Sequence, residues 1–397
     1  MRVVQINAVF GLGSTGKICM SVSDMLNQHN VENYILFSAG SSDRSNAISC
    51  CNKTYTKFQA LKSRILGNYG FNSGRETKRM ISALKRIKPD IVHLHNIHGH
   101  DCHLECLMDY FRKNRIKVFW TFHDCWAFTG YCTHFMFEDC EKWKTGCGEC
   151  PQRKRYSWFF DRSAELFQRK RNAFSGLDLT IITPSKWLAD LVKQSFLKEY
   201  PVKVIPNGID LDVFKPTSGN FREKYRISEE TFMLLGVAHG WGVRKGLDVF
   251  IELSQRLDPE KFQIVLVGTD DKIDRKLPKN IISVHRTNHQ KELAEIYTAA
   301  DLFVNPTRED NYPTVNLEAI ACGTPVLTFC TGGSPESLTE KTGSVVDYGD
   351  IDAMEREIVR IRNEITCSAE KLVVSAKQFD ASSSFFEYLK LYCGNEL

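Results

Sequence analysis

No apolar run in the 397-residue sequence approaches the roughly 20 residues that cross a bilayer as a helix. A basic leader with a cleavage site is also missing: the opening VVQINAVF is short and uncharged, so no signal peptide is expected. Repeats and low-complexity segments are absent, which argues against a solenoid or a disordered chain. With 42% hydrophobic and 25% charged residues the composition is that of a globular protein, long enough for two domains of about 200 residues. Cysteine, by contrast, is plentiful. Fourteen cysteines without an export signal imply reduced thiols or a metal site rather than a disulfide framework, and a cytoplasmic location is the expectation.

The net charge is small, +4, but unevenly spread. Residues 1–205 hold 30 basic and 18 acidic side chains (+12), and residues 206–397 hold 22 and 30 (−8). Either the imbalance only keeps the chain soluble, or the basic half meets an anionic surface or ligand. Short apolar runs (VVQINAV, NYILFS, DIVHLH, KVFWTFHD, LTIITPS, KVIP) alternate with amphipathic stretches such as Lys17–Gln28 and Thr77–Ile87. After Pro206, Asn207 and Gly208 the series restarts with FMLLGVA, FQIVLVG, ISVH, DLFVNPT and PVLTF, with helices between them such as Leu247–Leu257 and Lys291–Ala300. Continuous apolar strands alternating with helices predict an α/β protein of two doubly wound, parallel-sheet domains, residues 1–205 and 206–379. Ligands are then expected at the carboxyl ends of the strands.

The first glycine motif, FGLGSTGKI, lacks one hydroxyl. Gly11, Gly16 and Lys17 fit a phosphate-binding P-loop, but Ile18 stands where that loop needs Ser or Thr for Mg²⁺. A P-loop kinase or nucleotide triphosphatase is therefore disfavoured. Far downstream, NPTREDNYPTVNLEAIACGTPVLTFCTGGSPE (residues 305–336) reads as strand end, acidic loop, helix, strand and glycine turn. It carries Asp310 and Glu318 eight residues apart, then Gly332, Gly333 and Glu336. Backbone N–H groups at such a turn can approach a phosphate.

This stretch resembles the signature of retaining glycosyltransferases of family four, which have the GT-B fold of two Rossmann-like domains facing a central cleft. TFHD (121–124), TPSKWLAD (183–190), PNGID (206–210) and RKG (244–246) fall in the family's order. The CW-x-x-TG and CEKW-x-x-GC-x-x-CP segments look most like enzymes of bacterial polysaccharide assembly. The resemblance implies transfer of a hexose-type sugar, with retention and without a catalytic metal, from a nucleotide diphosphate to a saccharide or polyprenyl-diphosphate-linked acceptor. UDP is the favoured base. By the same resemblance Asp310, preferred over Glu309, lies near the anomeric carbon, where the family usually has Glu. Glu318 holds the ribose hydroxyls, Lys245 the diphosphate, and Arg244 supplies the charge missing at Gly240. His123 faces the donor sugar; Gly332, Gly333 and Ser334 face the diphosphate or sugar; and the base lies near His285–Thr287, including Arg286. Gly13 and Gly16 let the first loop approach the donor or acceptor, and a final helix at about 380–397 crosses back to the first domain.

Three further features stand apart. Cys132, Cys140, Cys147 and Cys150, with His134 and Cys125 as spares, read as a structural zinc site, an iron–sulfur site or free redox-active thiols. His93, His95, His98, His100 and His103 read as structural or acceptor-lining groups, with a metal site as the alternative. RKRYSWFFDRSAELFQRKR mixes cations and aromatics as a membrane interface does, so docking on an anionic inner leaflet is expected, with a plain exposed helix as the alternative. The rival functions are a sugar-nucleotide epimerase of the same fold and a metal-stapled nucleic-acid-binding protein. The paired acids disfavour the first and the acidic second half the other, so no nucleic-acid partner is expected.

Overall fold

The computed structural model describes residues 1–11, 13–364 and 368–394. It divides into two compact units, Met1–Ile205 together with the chain from Phe385, and Pro206–Ser384. In the first, β1 (Arg2–Val9), β2 (Glu32–Ala39), β3 (Ala47–Ser49), β4 (Ile91–Leu94), β5 (Lys117–Thr121), β6 (Leu179–Thr183) and β7 (Val202–Val204) pair in the order β3-β2-β1-β4-β5-β6-β7. Every pairing is parallel. Around this sheet run α1 (Gly13–Gln28), α2 (Lys53–Leu66), α3 (Gly74–Ile87), α4 (Leu104–Asn114), α5 (Arg153–Tyr156), α6 (Ser163–Phe174) and α7 (Lys186–Gln194). Val4, Ile6, Val92, Leu94, Val118 and Ile181 lie in one buried cluster with helix residues such as Leu84 and Leu107. Both sheet faces are covered, which is why the strands read as continuous apolar runs.

The second unit repeats the plan. β8 (Phe232–Val237), β9 (Phe262–Val267), β10 (Ile281–Val284), β11 (Leu302–Asn305), β12 (Val326–Phe329) and β13 (Gly343–Val346) form a parallel sheet ordered β10-β9-β8-β11-β12-β13. Its helices are α8 (Phe221–Lys224), α9 (Leu247–Arg256), α10 (Asp271–Asp274), α11 (Gln290–Ala299), α12 (Thr314–Ala321), α13 (Ile351–Asn363) and α14 (Ala369–Ala376). The last helix, α15 (Ala381–Cys393), buries Tyr388, Leu389 and Tyr392; residues 395–397 of the expected crossing helix lie outside the described residues. Within the first unit the Tyr392 hydroxyl pairs with His93 Nδ1 at 2.5 Å, and Thr121 Oγ1 donates to the Tyr388 hydroxyl at 3.3 Å.

Strand order reverses between β1 and β4 in one unit and between β8 and β11 in the other. Chain leaving two such neighbouring strands turns to opposite faces and opens a crevice at their carboxyl ends. The loops after β1 and β4, and those after β8 and β11, are therefore the places to look. Among the described residues no helix is long and apolar enough to cross a membrane.

Candidate active site

In the second unit the crevice is a junction of two loops. Lys245 ends a 3₁₀ turn after β8, and Asp310 lies in the loop after β11. The Lys245 ammonium donates to Asp310 Oδ2 at 2.5 Å, with both side chains partly exposed. Arg244 Nη1 reaches the Glu309 carbonyl at 3.3 Å, while the Arg244 carbonyl accepts from the Arg308 N–H at 2.9 Å. Arg308 in turn clamps Asp248 with two 2.7 Å bonds and reaches the Val243 carbonyl. Gly246 closes the junction from below. Its φ is +75°, and a Cβ there would lie 2.4 Å from the Pro306 carbonyl oxygen.

The glycine turn after β12 buttresses Asp310. Gly332 has φ +55°, and a Cβ there would stand 1.9 Å from the Asp310 carbonyl oxygen. That oxygen accepts the Gly333 N–H at 3.2 Å. The Gly333 N–H is therefore paired within the protein in this structure. Ser334 is fully buried, with its hydroxyl paired to Thr328 Oγ1 at 2.8 Å and accepting from Asn316 Nδ2 at 3.1 Å, bonds that hold the turn. Glu318, on α12, accepts from the Tyr297 hydroxyl at 3.1 Å, and burial together with the Glu318 charge raises Tyr297 far above its ordinary pKa. Arg286 is exposed in the segment after β10, at the sheet edge. Gly240 has φ +140°, and a Cβ there would meet no heavy atom within 4 Å, so a side chain at this position would have room but would strain the backbone.

In the first unit, the loop after β1 turns on Gly11 (φ +66°) and Gly13 (φ +63°) and opens α1. Gly16 is buried, and a Cβ on it would meet the Gly11 nitrogen at 3.0 Å, so Gly16 shapes the loop from within. Lys17 is exposed and Ile18 is 6% exposed in the core. Position 18 is thus a packing position, which accounts for the missing hydroxyl. Gly11, with Phe10, Gly40, Ser41, Thr56 and Lys57, lines an open groove of about 730 Å³.

His123 follows β5 in a chain of fixed hydrogen bonds. Gln5 Nε2 donates to the Cys19 carbonyl at 3.0 Å, so Gln5 presents its oxygen to His95 Nε2 at 3.2 Å. His95 Nε2 therefore carries the proton, and its Nδ1 accepts from His123 Nε2 at 3.1 Å. His123 Nδ1 is left as an acceptor. Burial lowers His123 to about 4, outweighing the opposite pull of Asp124. His98 bridges Asp124 (2.8 Å) and the Tyr69 hydroxyl (2.9 Å). Burial opposes ionisation of Asp124, but the His98 charge and hydrogen bond hold it down at about 2. His93, fully buried, is used by Thr121 and Tyr392. Among the described residues the one group of three candidate ligands that converges is Asp271, Asp274 and His285, outside the histidine run.

Cys132, Cys140, Cys147 and Cys150 line one cavity with Phe135 and Trp143. The Cys132 and Cys150 sulfurs are 3.9 Å apart, yet no three of the four lie mutually within 4.8 Å. The side chains as they stand do not draw the expected tetrahedron. Sequence reasoning missed Gln5, Arg308 and Asp248. The signal for Gln5 was a buried amide inside an apolar strand, which has to find partners.

A family model described as "Glycosyltransferase Family 4" matches residues 20–213, and one described as "Glycosyl transferases group 1" matches residues 230–364. The colanic acid biosynthesis glycosyl transferase WcaC of Escherichia coli is 22% identical over 378 residues, 88% of each chain. A D-inositol 3-phosphate glycosyltransferase of Geodermatophilus obscurus is 27% identical over 191 residues, 42% of each chain. Among solved structures, a sucrose-phosphate synthase of Thermosynechococcus elongatus has a TM-score of 0.71 at 15% identity, covering 99% of this chain and 98% of that one. HepE of Anabaena, solved with UDP-glucose, has 0.69 at 12%, covering 99% and 100%. At such identities these structures speak for the fold.

Proposed function

Because the chain belongs to the family 4, group 1 glycosyltransferases and has their GT-B fold, we propose that it moves a hexose-type sugar, with retention, from a nucleotide diphosphate to a saccharide or lipid-linked saccharide acceptor in bacterial surface polysaccharide assembly. The observation that carries the reading is the Lys245–Asp310 pair at the β8/β11 crevice, with Arg244 beside it. When the C1–O bond to the diphosphate breaks, negative charge grows on the leaving oxygens. Lys245 and Arg244 stabilise that charge as fixed cations, without a catalytic metal. Positive charge grows at C1, and the Asp310 carboxylate stabilises it. The acceptor oxygen bonds C1 on the face the diphosphate leaves, and its proton passes to the departing phosphate oxygen. Glu318, held by Tyr297, receives the ribose hydroxyls; His123 Nδ1 accepts from a sugar hydroxyl; Arg286 and its neighbours meet the base.

The groove beside Gly11 and Gly13 is the proposed acceptor site. Next to it, α2 exposes Phe58, Leu61, Ile65 and Leu66, flanked by Lys57, Lys62 and Arg64. The exposed Trp158, Phe159 and Phe160 adjoin its end, where the Trp158 N–H donates to the Arg64 carbonyl at 2.7 Å. An apolar stripe with a basic margin suits the anionic inner leaflet, where a polyprenyl-linked acceptor would be presented.

Thermal shift tests the donor reading. UDP or a UDP-sugar should stabilise the protein without Mg²⁺, and Lys245→Ala should lose that shift; stabilisation by Mg²⁺–ATP alone would refute it. Flotation with anionic vesicles tests docking: salt-sensitive binding weakened by Phe58→Ser with Phe159→Ser is expected, and no binding would remove that part.

A further inference from the structure

The segment between β5 and α5 is long and irregular, with only 3₁₀ turns at Trp126–Phe128, Met136–Glu138 and Lys142–Lys144. Loops of that length inside a compact domain need something to hold them. Here the chain is nonetheless packed: Trp126, Phe128, Phe135 and Trp143 are all buried, with ring contacts linking Phe128, Phe135 and Trp143. At their edge lies the cavity lined by Cys132, Cys140, Cys147 and Cys150.

We propose that these four cysteines form a tetrathiolate zinc site that staples the segment following the His123–Asp124 pair. The backbone delivers all four thiols to one cavity from positions spread along nineteen residues of chain. The 3.9 Å between the Cys132 and Cys150 sulfurs matches the edge of a tetrahedron with metal–sulfur bonds of about 2.3 Å, roughly 3.8 Å. The Gly130 N–H already donates to Cys147 Sγ at 3.2 Å, the kind of bond that orients a thiolate ligand.

A second observation concerns a buried lysine beside the thiols. Lys170, on α6, is fully buried, and its ammonium donates to the carbonyls of Trp126, Thr129 and Gly130 at 2.6, 2.9 and 3.4 Å. The ammonium also lies 3.7 Å from the Trp126 ring centroid. Burial lowers Lys170 to about 7 against the pull of Cys147, Asp124 and Cys132, and a zinc ion with four thiolates would carry a net charge of −2 beside it and favour the ammonium. Each thiol gives its proton to solvent on binding, so the site is assembled without any oxidant. Its role is to hold Asp124, Trp126 and the carbonyls around Lys170 in place; it takes no part in sugar transfer.

The test is metal analysis of the full chain purified under reducing conditions, with Co²⁺ exchange as a spectroscopic probe. About one zinc per chain is expected, with visible tetrahedral Co²⁺ bands and thiolate charge transfer after exchange. Cys147→Ser and Cys150→Ser should lose the metal, and Cys106→Ser, on the exposed face of α4, should keep it. Should the serine variants fail to fold, the wild-type Co²⁺ spectrum decides. A metal-free wild-type chain with an octahedral Co²⁺ spectrum, or a Cys132–Cys150 disulfide found by mass spectrometry, would overturn the proposal.

Discussion

Lys245 Nζ stands 2.5 Å from Asp310 Oδ2, so the cation proposed for the leaving diphosphate and the acid proposed for C1 are held as one ion pair. On the proposed reading, a bound diphosphate would compete for Lys245 and free Asp310 toward the sugar. Asp310→Asn should lower kcat/KM by about 10²–10³, the size of losing one charge-stabilising group. Lys245→Ala should also raise the donor KM. Both should cost only about 1 kcal/mol of stability, since part-exposed pairs contribute little. Steady-state kinetics with urea unfolding on the same preparations checks both.

The glycine turn offers a second check. Gly332→Ala puts a Cβ where the Asp310 carbonyl oxygen already lies, 1.9 Å away, and at φ +55°. We expect a loss of about 1–3 kcal/mol in stability. Activity should fall more than the unfolded fraction explains, because the backbone of Asp310 has to move. Gly242→Ala, where φ is extended and an added Cβ meets open space, should cost less stability in the same unfolding measurement.

The Gln5–His95–His123 chain predicts a pH signature. With His123 held neutral to about 4, wild-type kcat/KM should not titrate with this group near neutral pH. Gln5→Glu presents a carboxylate to His95 and favours the protonated imidazole, so a titration should appear near neutrality. Gln5→Leu should reduce activity without introducing it. A pH–rate profile distinguishes the two.

Stability should fall on acidification. Burial lowers His93 to about 3 and His100 and His123 to about 4, all below the ordinary 6.5. The unfolded chain therefore binds more protons below 6.5, so the stabilisation is complete above that value and is lost as pH falls toward about 4. Each group contributes on the order of 1–2 kcal/mol between about pH 7 and pH 5. Urea midpoints at the two pH values measure it, and His93→Asn should flatten the slope.

Much of the fold was legible because buried parallel strands are continuous apolar runs, as in FQIVLVG and PVLTF. β3 and β13 were not, since AIS and GSVV are short edge strands with exposed positions and no such run. α1 begins four residues before the expected Lys17 because the turn on Gly11 and Gly13 leads directly into it. In the site, the family resemblance pointed to Asp310, Lys245 and Glu318. It did not reveal that the Gly333 N–H is used within the protein, because that depends on how close β12's turn comes to the loop after β11. The pairing of Ser334 was not legible for the same reason: its neighbours Asn316 and Thr328 are set by the fold rather than by a local pattern. Gln5 and His95 were readable as polar residues inside apolar strands, but their pairing depends on β1 and β4 being neighbours.

The central claim is acceptor-dependent sugar transfer through Asp310 and Lys245. Mass spectrometry of products from a panel of UDP- and GDP-sugars, with saccharide and polyprenyl-diphosphate-linked acceptors and with or without Mg²⁺, tests it most directly. The account predicts a gain of one hexose-type unit on an acceptor, independent of added Mg²⁺ and abolished in Asp310→Asn and Lys245→Ala. Full activity in both variants, or conversion of the sugar nucleotide without any gain on an acceptor, would contradict it.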